Sequence, residues 1–279
     1  MLLATCLALG AAVLHAAWNL AAKRADGDRF VVLWAQFAVS GLLAGGALAV
    51  FAVAAGMPAS GYGWGIVSGL VHLPYLWLLA LAYEHGDFGV TYPLARGGGA
   101  ALAAVLGVAL LGDHLTTGEV VGIMVIVSGL ALLSWGATGR SAGLALAVAA
   151  TIGAYTTIDA QGARSSGSAA YVLATFTATA IALSIAGVAT GRAGALRVIV
   201  RRSWRRALVT GLAALVTYGM VLIAVQHAAV GYVAGLRESS VVLGALAGWR
   251  LLGEGHHRRR ITAAVIVLAG LITLVVAGT

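Results

Sequence analysis

Residues 88–113 read FGVTYPLARGGGAALAAVLGVALLGD, a long apolar run broken by a single charge, Arg96. Roughly 20 apolar residues in a helix cross the hydrocarbon of a bilayer, and this run is long enough. A charge at the centre of such a helix costs roughly 2.5–3.5 kcal/mol on insertion scales, so it normally faces a cavity or a partner. A second run from residue 231, GYVAGLRESSVVLGALAGWRLL, repeats the arrangement. Aligning residue n with n + 141 puts Arg96 on Arg237, Gly107 on Gly248, Leu110-Leu111-Gly112 on Leu251-Leu252-Gly253, and Asp113 on Glu254. With a one-residue shift, Asn19 falls on Asp159 and Arg24 on Arg164. Matched leucines and glycines are cheap in this composition, but a matched arginine inside an apolar run is not.

The rest of the chain agrees. Of 279 residues, 61% are hydrophobic and only 9% charged. A soluble domain carries about 25% charged residues, so this chain cannot build a water-facing surface throughout. The mean hydropathy of +0.99 points the same way. Ten spans are expected: Leu2–Ala22, Phe30–Ala54, Trp64–Tyr83, Phe88–Leu111, Val120–Leu133, Leu144–Asp159, Tyr171–Val188, Leu208–Val225, Gly231–Leu251 and Ile261–Ala277. Only a thin polar break around Arg140, with Gly136, Gly139 and Ser141, separates the fifth from the sixth, and fusing them would leave nine. The first run has no basic leader and no cleavage-like site before Trp18, Asn19 and Lys23, so it reads as a retained helix. The single cysteine, Cys6, allows no internal disulfide and has no metal-ligand spacing around it.

A net charge of +8 could suggest nucleic acid. The positions of the charges argue against it. They fall in short loops, where they set topology and meet anionic headgroups. Lys23, Arg24 and Arg29 follow span 1, and Arg140 follows span 5. Arg192, Arg197, Arg201, Arg202, Arg205 and Arg206 follow span 7, and Arg258, Arg259 and Arg260 follow span 9. The even-numbered loops hold only Arg164. The chain is therefore expected in the plasma (inner) membrane with loops 1, 5, 7 and 9 cytoplasmic and both termini outside. Trp204 within the arginine run leaves two readings open there, an amphipathic headgroup segment or a solvated basic loop.

The expected fold class is all-α integral membrane, ten transmembrane helices in two inverted five-helix repeats, residues 1–139 and 140–279. An odd number of helices per repeat inserts the second copy upside down, a plan many secondary transporters use around a midplane site. Five short motifs carry a resemblance: His15-Ala16-Ala17-Trp18-Asn19, Tyr92-Pro93-Leu94-Ala95-Arg96-Gly97, Leu111-Gly112-Asp113, Leu236-Arg237-Glu238 and Leu252-Gly253-Glu254. In order and spacing, over nearly the whole chain, they resemble the EamA-type drug/metabolite transporters. That resemblance implies a ten-helix inverted repeat and export of small metabolites, amino acids or drugs. Many members keep their termini in the cytoplasm, a point on which the charge distribution here departs.

The candidate substrate-binding residues are those that put polarity inside spans. Arg96 and Arg237 are expected to line a central cavity and attract a carboxylate or phosphate-like group. The alternative is a structural pairing with nearby carboxylates or helix ends. Tyr92 shares a helix face with Arg96, and Gly89 and Gly99 near that face would admit a helix or ligand. Glu238 is the candidate for proton coupling, because a carboxylate in a semi-dry cavity can exchange a proton during a transport cycle. It need not pair with adjacent Arg237, since helix neighbours point about 100° apart. Asp159 is the second carboxylate, unless it only marks the end of its span. His15, Trp18 and Asn19 share one face of the first helix, with Asn19 also readable as a bond to another helix. His72 with Tyr75, and Tyr155 with Asp159, share faces of the third and sixth helices. Asp113, Glu119 and Glu254 read as loop or capping residues, His256 and His257 as part of a solvated basic loop, and Trp64, Trp135 and Trp249 as interfacial anchors.

No catalytic residue, cofactor or metal is expected. No nucleophile cluster or metal-ligand spacing is visible, and G-x-x-x-x-G-K-[ST] does not occur. The function expected is a secondary transporter, an exporter of a small polar metabolite (amino acid-like or anionic) by alternating access. A lipid-carrier flippase and a membrane-embedded lipid-phosphate enzyme are the alternatives. The partners implied are a small-molecule solute and membrane lipids, with a homodimer left open beside a monomer and no nucleic acid.

Overall fold

The computed structural model describes residues 1–23, 25, 27–54, 59–85, 88–135, 139–243 and 257–278. They form α1 (Leu2–Lys23), α2 (Arg29–Ala54), α3 (Ala59–His85), α4 (Phe88–Leu111), α5 (Thr117–Leu133), α6 (Gly139–Ser166), α7 (Ser168–Ala189), α8 (Ala193–His227), α9 (Val230–Arg237) and α10 (His257–Ala277). After Glu238 the chain is helical again at 239–243. No strand occurs among the described residues. In lipid a helix satisfies its own backbone polar groups, and a chain this apolar has few other ways to do so.

Seven of these helices are long and apolar enough to cross a membrane, while Thr117–Leu133 and Ile261–Ala277 are shorter apolar helices. The chain is a multi-pass membrane protein. α5 and α6 are separate helices, so the fifth and sixth spans are not fused. The ninth expected span is described only to residue 243, and Gly248, Trp249, Leu251 to Glu254 and His256 lie outside the described residues, as does Arg24.

Local chemistry sets several helix ends. Asp28 Oδ1 accepts the Phe30 and Val31 N–H groups at 2.9 and 3.3 Å and caps α2. Thr116 and Glu119 form a reciprocal capping box at α5, so Glu119 caps as its position suggests. Gly112 turns the chain out of α4 with φ +68°, a conformation other residues rarely adopt.

Two expected loops differ in the structure. The arginine run after span 7 is helical, opening α8 and kinking at Ser203 (φ −134°, ψ 28°). The exposed arginines and Trp204 therefore lie on a helix rather than in a solvated loop. The basic residues from His257 onward likewise open α10, and Arg259 donates to the Trp135 carbonyl at 2.7 Å. Trp135 is 74% exposed at its helix end, whereas Trp64 packs against the core.

The packing pairs the two halves of the sequence. α2 lies along α7, α4 beside α9, and α5 along α10. α1 packs on α8 and α9 as α6 packs on α3 and α4, and α2 meets α8 as α7 meets α3. Small residues make the close crossings possible. A Cβ at Gly122 would lie 2.8 Å from the Leu274 backbone nitrogen, so α5 and α10 can touch this closely only with glycine there.

Candidate functional site

Arg96 enters the core from α4, four residues after Tyr92 and three after Pro93. Proline lacks an N–H and loosens the helix ladder just before the charge. Its guanidinium Nη2 donates to Glu238 Oε1 at 2.6 Å. The two residues are 142 positions apart and only 3% and 1% exposed. Glu238 is the C-cap of α9, so the pair joins α4 of the first half to the end of α9 in the second. Three polar atoms of this pair have no hydrogen-bond partner among the described residues: Arg96 Nε, Arg96 Nη1 and Glu238 Oε2.

Arg237, one residue earlier, points elsewhere. It is 4% exposed and forms no hydrogen bond or ion pair among the described residues. A buried cation without a counter-ion is expensive and persists where something else requires it. Here it faces a cavity of about 40 Å³. His15 and Trp18 of α1, His72 and Tyr75 of α3, and Tyr155 of α6 form its polar and aromatic wall. His72 lies 4.4 Å from the Tyr155 ring and 5.7 Å, edge-on, from Tyr218. Tyr75 and Tyr155 are 5.0 Å apart. His72 Nδ1 contacts the Ser68 carbonyl at 2.9 Å, and since a carbonyl only accepts, Nδ1 carries the proton. In the neutral ring Nε2 is then the acceptor.

Asp159 does not mark a helix end, because α6 continues to Ser166. It is 1% exposed and accepts from Tyr171 at 2.8 Å through Oδ1 and from Tyr218 through Oδ2. This ties α6 to α7 and α8 next to the cavity. Asn19 is buried, but its amide donates to the His15 carbonyl of its own helix at 2.8 Å instead of reaching another helix. It is not part of the cavity wall. Tyr92 is buried on the Arg96 face and is likewise not part of that wall. Gly99 admits Ile152 of α6, not a ligand, and the surroundings of Gly89 lie outside the described residues.

The cavity thus brings together Arg237, His15, Trp18, His72, Tyr75 and Tyr155. Arg96 and Glu238, expected in the same wall, pair with each other instead and are not among its lining residues, and Asp159 lies behind Tyr218. Phe37, Thr175, Phe176, Thr179, Ala214, Thr217 and Tyr218, none of them flagged by the sequence, complete the wall. Thr210, Thr217 and Tyr218 are the hydroxyls of an otherwise apolar stretch of α8, which is the one signal that could have flagged it. Among the described residues no group of three or more His, Cys, Asp or Glu side chains is placed to hold a metal.

A second cluster closes one end of the bundle. Arg164, in the last turn of α6, donates to Asp113 Oδ1 at 2.8 Å and to the carbonyls of Val225 and Ala228 at 2.9 and 3.3 Å. Asp113 Oδ2 accepts the Val230 N–H at 2.7 Å at the start of α9. One arginine and one aspartate therefore fasten the turns after α4, α6 and α8. Asp113 is a capping residue, as expected, but it caps a helix far away in sequence.

No protein-family model matches the chain, and no curated protein does. A solved structure described only as "Crystal structure of protein" superposes with a TM-score of 0.73, over 99% of this chain and 99% of that one, at 17% identity. At that identity the likeness is one of fold: the same helix arrangement, built here around its own buried charges.

Proposed function

We propose that this chain is a secondary transporter of the EamA-type drug/metabolite kind, exporting a small polar metabolite by alternating access. The observation that carries the reading is the buried Arg96–Glu238 pair across the two halves, beside Arg237, which has no ion pair among the described residues and lines an aromatic cavity. Arg96 and Glu238 pair with each other, which leaves Arg237 as the cation facing the cavity. It attracts a carboxylate or similar anionic group, and the histidine and tyrosine faces accept the rest of an amino acid-like solute.

The packing supports two inverted five-helix repeats. Exchanging the first five helices for the last five converts the main helix contacts into one another, as a two-fold axis through α2/α7, α4/α9 and α5/α10 requires. In this reading ten helices span the plasma (inner) membrane, the basic loops are cytoplasmic, and the Arg164–Asp113 cluster closes the outer side. Rocking one half against the other breaks that cluster and opens the cavity outward. No bond is made or broken in the solute, and no cofactor takes part.

The test is counterflow in proteoliposomes preloaded with unlabelled amino acids or organic anions. Uptake of the matching labelled solute above that of empty vesicles is expected. Translocation of a labelled carrier lipid with no solute counterflow would assign the chain to lipid flipping instead.

A further inference from the structure

A larger cavity, of about 260 Å³, lies between α2 and α8 at the basic end of the bundle, apart from the Arg237 cavity. Its polar lining is Gln36, Arg202, Ser203, Arg206 and Thr210, with Val32 and Ile199 among its apolar walls, and its two charges are both positive. Arg202 and Arg206 are four residues apart, on either side of the Ser203 kink. Like charges at that spacing repel on a regular helix. Neither arginine has an ion pair among the described residues. Asp28, the described carboxylate at this end, is committed to Arg192 at 3.0 Å and to the α2 N-terminus. Gln36 is the independent observation. It is 1% exposed, lines the same cavity, and its Nε2 has no hydrogen-bond partner among the described residues. A buried amide donor without an acceptor is costly unless a ligand supplies one.

We propose that this cavity binds a phosphate group, held by Arg202 and Arg206 with Gln36 as the inner donor, carried by an anionic lipid headgroup or free in solution. Two guanidiniums match phosphate oxygens in geometry and charge. The apolar walls suit the glycerol that follows a headgroup phosphate, and the cavity opens at the end of the bundle where anionic headgroups gather. Arg202 and Arg206 flank the Ser203 kink, and both line the cavity.

The experiment uses the full chain in nanodiscs of phosphatidylcholine with and without phosphatidylglycerol, and reads retained lipid by native mass spectrometry. A second arm titrates inorganic phosphate against the thermal midpoint in uncharged detergent. The wild type retains phosphatidylglycerol over phosphatidylcholine, and R202Q and R206Q each weaken retention by about fivefold. R201Q/R205Q, which removes charges of the same run outside the cavity, leaves retention unchanged. If phosphate protects the wild type but not R202Q/R206Q, and phosphatidylglycerol is not retained, the occupant is the free anion. The proposal is overturned if neither probe binds, or if R201Q/R205Q loses as much as R202Q/R206Q, which would make the attraction a diffuse property of the basic surface.

Discussion

Removing Glu238 tests how the two halves are joined. The carboxylate holds Arg96 at 2.6 Å, with both residues almost wholly buried. Breaking a buried pair from one side strands the other charge and costs about 3–5 kcal/mol. Glu238→Leu should bear that full cost. Glu238→Gln still offers Arg96 an amide oxygen, which returns about 1 kcal/mol. For a chain of this size each kcal/mol moves the melting temperature by about 2–4 °C, so Glu238→Leu should melt roughly 6–20 °C below the wild type. Arg96→Met alone should lose a similar amount. The Arg96→Met/Glu238→Leu double variant should recover most of it, because an apolar pair of similar volume is often neutral or stabilising in place of a buried ion pair. The assay is heat unfolding of the purified protein followed by tryptophan fluorescence, run as a double-mutant cycle at one scan rate. Small single losses that simply add would mean that Arg96 and Glu238 are not coupled, and the bridge between the halves would be refuted.

Other outcomes follow from the same geometry. Arg237→Gln removes a buried cation that has no ion pair among the described residues, so its melting temperature should match or exceed that of the wild type while solute binding is lost; a lower melting temperature would show that Arg237 has a structural partner. Tyr218→Phe takes one of two hydroxyl donors from Asp159 and should destabilise by about 1–3 kcal/mol, checked by the same melting assay. Tyr171→Phe should cost a comparable amount, and a neutral result for both would remove Asp159 as a tie between α6, α7 and α8. Arg164→Ala releases the turns after α4, α6 and α8. Loss of about 1.4 kcal/mol there makes the open form tenfold more populated, which maleimide labelling of Ala163→Cys in a Cys6→Ser background should register as about tenfold faster reaction.

Much of the fold could be read from hydropathy, because lipid imposes a length and a composition on every span. Phe88–Leu111 was legible to the residue for that reason. Helix starts were less legible where charge opens a helix. Arg192 to Arg206 and His257 to Arg260 read as loops by polarity, yet a helix tolerates arginines along an exposed face as readily as a loop does. The site was legible where polarity is rare. Arg96, Arg237, Glu238, His15, His72 and Tyr155 stood out against apolar neighbours, and the n + 141 match picked out the arginine pair. What pairs with what was not legible. Glu238 adjoins Arg237 in sequence but meets Arg96, because only the tertiary packing of α4 against α9 decides which of the 100°-spaced directions faces which partner. Asp113 and Arg164 each read as loop residues, and nothing local says that one arginine fastens three turns. Asn19 shows the converse: a polar residue on the right face whose amide is spent on its own helix.

The proposed function rests on Arg237 as the charge that receives the solute. Counterflow of labelled amino acids or organic anions into preloaded proteoliposomes, wild type beside Arg237→Gln at equal protein density, measures it most directly. Uptake is expected from the wild type, and none above empty vesicles from a variant that folds at least as stably. Equal uptake by the two would contradict it.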